Sequence, residues 1–389
     1  MKKIVLAYSG GLDTSIAIRW LKERDFDVIA CLVDVGQVSD LTGARSKAKK
    51  IGASKVYIID AKKEFVEDYI YPALKANAVY EGKYFLATAL SRPLIAQKLL
   101  YVAKKEKAKF VAHGCTGKGN DQVRIEVSLA ALAKDLEVIA PVREWEFASR
   151  EAQIRYAKMH KIPVSASKKS PYSLDKNLWG VSIECGILED PSKEPPKDAY
   201  QITKSPKDAP SKEAYITVGF NKGVPVSLNK KKYTGVELIE KLNNIGAAHG
   251  VGRSDMLENR LVGIKSREIY EAPAAFILHT AHKEIEALVL DRELAHFKGI
   301  IEQKYSELIY YGLWYTPLKK ALDNFILSTQ KNVTGEVKLK LYKGSCVSVA
   351  RKSKYSLYKE ELATYSEKDK FDRKLAEGFI KIWGMPYKK

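Results

Sequence analysis

The chain has 389 residues, of which 46% are hydrophobic and 29% are charged, and it carries a formal net charge of +19. This composition excludes a disordered chain, and the length exceeds what one ordinary hydrophobic core supports, so we expect at least two domains. No apolar run approaches the roughly 20 residues of a membrane-spanning helix, which excludes that class of protein.

The first 165 residues alternate short apolar segments with amphipathic ones. This pattern predicts an α/β domain with a parallel twisted sheet and helices on both of its faces. Strands are predicted at residues 4–8, 28–35, 55–59, 110–112 and 137–139, and helices at 13–24, 41–51, 62–78, 91–107, 121–134 and 150–160. We expect Pro72 to break or kink the third helix and Pro93 to lie in the first turn of the fourth, where a missing N–H costs nothing.

The pattern changes after residues 189–213, a segment rich in Pro, Lys, Asp and Ser that predicts an extended loop. The second half reads as α+β. Strands are predicted at 214–220, 224–228, 277–278, 334–342 and 345–350, and helices at 235–247 and 280–312. The pair Lys343-Gly344 between the last two strands predicts a hairpin turn.

The chain ends in a predicted amphipathic helix, beginning near residue 366, with Phe371, Leu375, Phe379 and Ile382 on one stripe. Because an apolar stripe needs a partner, we expect this helix to pack on another subunit. The predicted domains are the α/β domain at residues 1–165, an α+β domain at 166–362 and an oligomerisation helix at 363–389.

The N-terminus passes from two lysines directly into a short apolar segment and a glycine pair. A secretory signal peptide needs a longer apolar core and a small-residue cleavage site, so we expect a cytoplasmic protein. The four cysteines, Cys31, Cys115, Cys185 and Cys346, are far apart and form no Cys-x-x-Cys pair, as expected for a reducing compartment without a zinc knuckle or dithiol site.

The charge of +19 leaves three interpretations open: nucleic-acid binding, attraction of anionic small molecules, or lysine-rich solvated faces. Basic residues are spread through the chain in interrupted runs, and the charge alone does not decide between these interpretations. His279 and His282 lie one helical turn apart, a spacing common on surface helices. A zinc site needs three or four ligands and no third lies nearby, so we predict no metal held by protein side chains.

A glycine-rich segment at residues 9–15, Ser-Gly-Gly-Leu-Asp-Thr-Ser, joins the first predicted strand to the first helix. The glycines allow a tight turn, and the N–H groups of the turn and helix start then converge on an anion, with hydroxyls from Ser9, Thr14 and Ser15. The segment lacks the Walker A lysine. It resembles the pyrophosphate-binding loop of the N-type ATP pyrophosphatases, which grip departing pyrophosphate and leave the α-phosphorus open to attack.

A second glycine-rich block, Thr-Gly-Lys-Gly-Asn-Asp-Gln at residues 116–122, follows a predicted strand and opens a helix. Asn120 and Asp121 are also good helix-capping residues, which is the structural alternative to ligand binding. We favour ligand binding, because a cap needs only one of the pair and rarely needs several upstream glycines.

Nearly the whole chain is similar to the argininosuccinate synthase family, and the similarity is carried by residues 7–15, 81–93, 113–124, 172–182 and 249–271. It implies an enzyme, a C–N ligase that adenylates the ureido oxygen of citrulline with ATP and Mg²⁺ and then joins the activated carbon to aspartate. AMP and pyrophosphate are released, and the product is argininosuccinate, for arginine biosynthesis. It also implies a homotetramer without nucleic acid or membrane.

The resemblance assigns roles residue by residue. ATP is expected to contact Ala7, Tyr8, Ser9, Gly10, Gly11, Leu12, Asp13, Thr14, Ser15, Val33 and Gly114. Aspartate is expected at Thr116, Asn120 and Asp121. Citrulline is expected at Tyr84, Thr88, Asn120, Arg124, Ser173, Ser182, Glu258 and Tyr270. The expected catalytic residues are Asp121 and Asp13, while Ala89, beside Thr88, leaves open which of the two faces citrulline.

Three alternatives share parts of this pattern. An RNA-modifying enzyme would suit the positive charge, but thiolases need paired or catalytic cysteines. A glutamine-dependent synthetase would carry a nucleophilic cysteine, often at position two, where this chain has Lys2. A nucleotide-binding sensor without catalysis would need no substrate clusters beside the loop. Pyrophosphate release with citrulline, aspartate or both separates these alternatives.

Overall fold

The computed structural model describes residues 1–37, 40–147, 149–163 and 171–388. The first half contains a parallel five-stranded sheet in the order β3-β2-β1-β4-β5, as the alternating pattern predicts. Its strands are β1 (Lys2–Ala7), β2 (Phe26–Asp34), β3 (Lys55–Asp60), β4 (Phe110–Ala112) and β5 (Glu137–Ile139). The helices of this half are α1 (Leu12–Lys22), α2 (Leu41–Ile51), α3 (Lys62–Glu64), a π-helical stretch (Phe65–Ile70), α4 (Tyr71–Lys75), α5 (Ala87–Glu106), α6 (Asn120–Leu132), α7 (Pro141–Glu144) and α8 (Arg150–Met159).

The central strand β1 is buried on both faces, which explains its continuous apolar sequence. Ile4 and Leu6 pack into one hydrophobic core together with α1, whereas Val5 packs into a separate core together with α5. Because successive side chains of a strand point to opposite faces, helices cover the sheet on both sides. The predicted fold class of this half is therefore confirmed.

The second half contains two antiparallel sheets, in the orders β10-β9-β8-β13-β14 and β11-β12-β7-β6. Their strands are β6 (Ser173–Asn177), β7 (Gly180–Glu184), β8 (Ala214–Asn221), β9 (Val224–Leu228), β10 (Lys231–Lys232), β11 (Arg253–Asn259), β12 (Lys265–Glu271), β13 (Gly335–Tyr342) and β14 (Ser345–Lys352). The helices are α9 (Gly235–Ala248), α10 (Pro273–Val289), α11 (Arg292–Tyr310), α12 (Pro317–Thr329), α13 (Glu360–Ala363) and α14 (Arg373–Trp383), with short 3₁₀ turns at Gly186–Glu189, Lys197–Ala199 and Met385–Tyr387.

Two prolines behave differently from expectation. Helix α5 begins at Ala87, four residues before the predicted start, so Pro93 lies inside the helix rather than in its first turn. The earlier start has a local cause, because the hydroxyl of Tyr84, three residues before the helix, accepts hydrogen bonds from the N–H groups of Thr88 and Ala89. Pro72 does not break its helix, because the chain stays helical to Lys75. The helix is irregular before this proline, where the π-helical stretch ends at Ile70.

Several predictions for the second half were wrong. Residues 277–278 are not a strand but lie inside α10. The single helix predicted at 280–312 is divided, because Asp291 caps a new helix by accepting a 3.0 Å hydrogen bond from the N–H of Leu294. Strands β6, β7, β11 and β12 and helix α12 were not predicted. The hairpin at Lys343-Gly344 is confirmed, with both residues at positive φ.

The histidine pair does not lie on a surface. His279 and His282 are both buried, and His282 lies between the side-chain carbonyls of Asn77 and Gln330, at 2.7 and 2.9 Å. The pair is therefore buried in the protein interior, where His282 meets Asn77 of the first half and Gln330 of the second half. The predicted domain boundary between residues 165 and 166 lies outside the described residues. None of the described helices has the length and hydrophobicity that spanning a membrane would require.

Candidate active site

The loop at residues 9–15 leaves β1 and enters α1 through two glycines. Gly10 has a φ of +81°, and Gly11 is the N-cap residue of α1. The Ser9 and Thr14 hydroxyls lie 3.1 Å apart, and the N–H of Gly11 donates to the Ser9 hydroxyl at 3.3 Å. The N-cap glycine has no side chain to bond the first turn of α1, so the N–H groups of that turn are left for an anion.

A lysine that sequence reasoning missed lies beside this loop. The ammonium of Lys47, from α2, donates a 2.8 Å hydrogen bond to the Gly10 carbonyl. Burial lowers the pKa of Lys47 below its usual value. This places a cation next to the glycine turn, although the loop contains no Walker-type lysine. No local pattern marks Lys47, since it lies in an ordinary amphipathic helix.

Gly114, between β4 and the second glycine block, packs directly on the first loop. A Cβ on Gly114 would lie 3.0 Å from the Thr14 methyl group and 4.0 Å from the Cβ of Asp13. Glycine at this position lets the two loops approach closely. Burial raises the pKa of Asp13, and the charge of Arg150 opposes that effect.

A first cavity opens between these loops and β6. Of the residues expected to bind ATP, those that line the cavity are Ala7, Tyr8, Ser9, Thr14, Val33 and Gly114. The others, which do not line it, are Gly10, Gly11, Leu12, Asp13 and Ser15. The Ser15 hydroxyl donates to the Gly11 carbonyl at 2.6 Å and is buried, so it stabilises the helix start rather than facing the cavity.

A second cavity adjoins the first. Its lining includes most residues expected to bind the amino acids, namely Tyr84, Thr88, Asn120, Asp121, Arg124, Ser182, Glu258 and Tyr270. Thr116 and Ser173 instead line the first cavity. The two cavities share Gly119, Asp121, Asp175 and Glu184. Thr88 faces the second cavity, whereas the fully buried Ala89 does not line it.

Helix α6 begins at the second glycine block without using its polar residues as caps. Gly119 is the N-cap residue, which excludes the capping interpretation of Asn120 and Asp121. The Asn120 amide donates to the Tyr310 hydroxyl at 2.8 Å, and its carbonyl accepts from the N–H of Leu261 at 2.9 Å. Asn120 therefore links α6 to the second half of the chain at the edge of the cavity.

Asp121 and Arg124 form the charged floor of the second cavity. Asp121 accepts hydrogen bonds from Arg92 at 2.7 Å and from Arg124 at 2.9 Å. Arg124 also donates from Nε to the Tyr310 carbonyl at 2.9 Å, and its guanidinium lies over the Tyr310 ring. Its Nη2 atom is buried and has no hydrogen-bond partner among the described residues. Burying an N–H group without a hydrogen-bond partner costs free energy, so a ligand oxygen that accepts from this atom would be stabilising.

The opposite wall carries two carboxylates around one phenol. The hydroxyl of Tyr270 lies 2.5 Å from Glu258 and 2.9 Å from Glu268, and the hydroxyl of Tyr310 donates to Glu258 at 2.7 Å. A phenol has one proton, so both Tyr270 contacts are hydrogen bonds only when one carboxyl is protonated. Burial and the charge of Glu258 raise the pKa of Glu268 to about 7, so Glu268 exchanges a proton near neutral pH.

Sequence reasoning missed further residues of this wall and floor, namely Arg92, Asp175, Glu184, Arg260, Glu268 and Tyr310. Arg92, Asp175, Arg260 and Glu268 lie within the segments that carry the family resemblance, so their position was a usable signal. Glu184 and Tyr310 lie outside those segments and reach the site only through the fold.

Two family models match the chain: the Arginosuccinate synthase N-terminal HUP domain over residues 3–163 and the Arginosuccinate synthase C-terminal domain over residues 172–389. A protein named argininosuccinate synthase from Chlorobium phaeobacteroides is 58% identical over 388 residues, covering 100% of this chain and 96% of that protein. Proteins of the same name from Geobacillus kaustophilus and Symbiobacterium thermophilum are both 59% identical, covering 99% and 100% of this chain and 95% and 97% of their own lengths. The similarity therefore spans the residues of both cavities.

Proposed function

This chain belongs to the argininosuccinate synthase family, and from that premise we propose how its own residues carry out the family's reaction. The reaction is the ATP-dependent ligation of citrulline and aspartate, through a citrullyl-adenylate, to argininosuccinate, AMP and pyrophosphate. The enzyme is a C–N ligase of arginine biosynthesis. Two adjoining cavities suit a reaction in which a nucleotide and amino acids must meet.

The first cavity is the proposed ATP site. The N–H groups at the start of α1 and the hydroxyls of Ser9 and Thr14 bind the β- and γ-phosphates, with Lys47 adding positive charge nearby. Stabilising the charge that develops on pyrophosphate makes it the leaving group, so the α-phosphorus is attacked. ATP is then split to AMP rather than to ADP. The rest of the ATP set, Ala7, Tyr8, Gly10, Gly11, Leu12, Asp13, Ser15, Val33 and Gly114, shapes the turn and the adjoining wall.

The second cavity is the proposed citrulline site. The unpartnered Nη2 of Arg124 suits the citrulline carboxylate, and Glu258 suits its ammonium. Hydroxyls from Tyr84, Thr88, Ser173, Ser182 and Tyr270, and the amide of Asn120, complete the proposed set. We propose that the ureido oxygen then faces the boundary that this cavity shares with the ATP cavity. Placing the reactants accounts for much of the catalysis, since effective molarities are large for well-oriented groups.

Aspartate is proposed to bind at the boundary of the two cavities, at Thr116, Asn120 and Asp121. The Thr116 hydroxyl suits a carboxylate, and Asp121 suits the ammonium. Burial would raise the pKa of Asp121, but Arg92 and Arg124 outweigh it and hold that pKa below its usual range. A carboxylate with such a low pKa is a good orienting charge and a poor proton acceptor, so we assign Asp121 to orientation.

Three further features belong to this proposal. The described residues contain no group of three or more His, Cys, Asp or Glu side chains arranged for a metal, so Mg²⁺ is proposed to enter with the ATP phosphates and neutralise their charge. A cytoplasmic location and the domain limits 1–165, 166–362 and 363–389 are retained from the sequence.

The proposed homotetramer is taken from the family resemblance, and the last helix is the proposed contact between subunits. Helix α14 has no buried residue, and its apolar side chains include Leu375, which is 70% exposed, and Trp383, which is 68% exposed. A second copy of the chain is the proposed cover for this face.

The observation that carries the proposal is that Ser9 and Thr14, on either side of the glycine turn, line a cavity that adjoins the site of the unpartnered arginine atom. The test uses purified enzyme with ATP, Mg²⁺, citrulline and aspartate, and separates nucleotides and amino acids by chromatography. We expect AMP, pyrophosphate and argininosuccinate in equal amounts, and citrulline-dependent exchange of pyrophosphate into ATP without aspartate. Formation of ADP, or salt-sensitive RNA binding without ligation, would contradict it.

A further inference from the structure

One guanidinium group joins two carboxylates where the cavities meet. The Nη2 atom of Arg92 donates to Asp121 at 2.7 Å and also contacts the carboxylate of Asp175. Both carboxylates line both cavities. They therefore border the space in which the aspartate amine has to meet the adenylated carbon.

The two carboxylates have unequal surroundings. Asp121 is bonded to a second guanidinium, that of Arg124, whose side chain is only 4% exposed. Within the described residues, Asp175 has Arg92 as its single hydrogen-bonded cationic partner, and its side chain is 35% exposed against 26% for Asp121. Asp175 therefore has more unused hydrogen-bond acceptor capacity than Asp121 where it lines the cavities.

The pKa values of the two carboxylates differ in the direction that their arginine partners predict. Burial raises the pKa of Asp175, the charge of Asp121 adds to that effect, and Arg92 and Arg124 oppose it. For Asp121 the same two arginines prevail and the pKa is lowered. A pair of carboxylates whose pKa values are driven apart is the arrangement in which one orients and the other exchanges a proton.

The other titratable groups that face Asp175 are less suited to take a proton. Burial raises the pKa of the Cys115 thiol to about 12, so this group stays neutral and is not a base. Glu184, on the neighbouring strand β7, lines both cavities, and burial raises its pKa. However, Glu184 is bonded to Arg260 at 2.5 Å, not to the arginine that holds Asp121.

On the basis of the proposed function, we propose that Asp175 is the general base that removes a proton from the ammonium of aspartate held at Asp121. The N–H bond of the ammonium breaks, the Asp175 carboxylate gains the proton, and the freed electron pair attacks the central carbon of citrullyl-adenylate. A C–N bond forms and the C–O bond to AMP breaks. The second proton of the nitrogen leaves with the AMP phosphate, which gives the guanidinium of argininosuccinate.

The test separates the two half-reactions. For Asp175→Asn we expect turnover in ligation to fall by about 10²–10⁴-fold, the range for loss of a general base. Citrulline-dependent pyrophosphate–ATP exchange precedes the proton transfer, so it is expected to persist within a few-fold. The wild-type kcat/KM for aspartate should decline at acid pH as this base is protonated, and Asp175→Asn should lose that decline.

Three outcomes would overturn the proposal. Equal losses of exchange and ligation would assign Asp175 to holding Arg92 in place. Ligation at the wild-type rate would exclude it from the proton transfer. Loss of the acid decline in Glu184→Gln, but not in Asp175→Asn, would assign the base to Glu184.

A second variant keeps the test informative if Asp175→Asn folds poorly. Asp175→Glu retains the charge and displaces the carboxylate by one methylene, so ligation should slow while the acid decline remains. An unchanged ligation rate in Asp175→Glu would contradict the positioned base. Absence of exchange in the wild-type enzyme would instead refute the proposed function, independently of Asp175.

Discussion

Replacing Asp121 with asparagine removes the charge that two arginines share. The carboxylate accepts hydrogen bonds of 2.7 Å from Arg92 and 2.9 Å from Arg124, and Arg124 is almost completely buried. Asparagine preserves the shape of the side chain but not its charge. The variant therefore tests the charge separately from the packing.

The magnitude follows from the pKa. Burial opposes ionisation, but the arginines lower the pKa of Asp121 from 3.8 to about 2, which corresponds to roughly 2.5 kcal/mol. Because the folded-state pKa is the lower one, this stability is present above pH 3.8 and is lost as the pH falls through about 2. At neutral pH we expect Asp121→Asn to lower the free energy of unfolding by up to about 2.5 kcal/mol, with solvent at the exposed part of the side chain reducing it.

The effect on aspartate is expected to be larger than the effect on adenylation. A charge-assisted hydrogen bond to the ammonium contributes about 1.5–3 kcal/mol, so KM for aspartate should rise by roughly 10- to 150-fold. Steady-state kinetics at saturating ATP and citrulline measure this, and pyrophosphate–ATP exchange and thermal unfolding serve as controls. If KM for aspartate and turnover both stay unchanged, the assignment of Asp121 is wrong.

Three further perturbations test other parts of the site. Glu268 ionises as the pH rises through its pKa of about 7 and then attracts the citrulline ammonium. KM for citrulline should therefore fall several-fold between about pH 6 and 8, and an equal fall in Glu268→Gln would contradict this. Gly114→Ala places a Cβ 3.0 Å from the Thr14 methyl group and should raise KM for ATP about tenfold. An unchanged KM for ATP would mean that the two loops do not bind ATP. Deleting residues 366–389 should give a smaller species by light scattering, and a full-size assembly would exclude α14 from the interface.

The sequence alone was sufficient for the parallel sheet and the loop at residues 9–15. Strands such as β1 and β2 are apolar because both faces are buried, and two glycines before a helix permit the tight turn at residues 9–15 through local geometry. The order of motifs along the chain was likewise enough to indicate the family. These features depend on near neighbours in the chain, so their patterns survive without knowledge of the fold.

Sequence reasoning failed where site residues interrupt a pattern. Strand β12 carries buried polar residues, among them Glu268 and Glu271, because it forms a wall of the second cavity and its surroundings. Such a strand lacks the alternation of apolar and polar residues from which strands are predicted. The early start of α5 was missed for a related reason, since its N-terminal N–H groups are satisfied by the Tyr84 phenol rather than by a capping residue.

Only the tertiary structure decided which charges meet. Arg92, Asp121 and Asp175 come from α5, α6 and β6, and their pairing at one guanidinium follows from the packing of these elements. The same packing gives the two carboxylates opposite pKa shifts, because one is bonded to two arginines and the other to one. Charge interactions depend on distance and burial, which no spacing along the chain specifies.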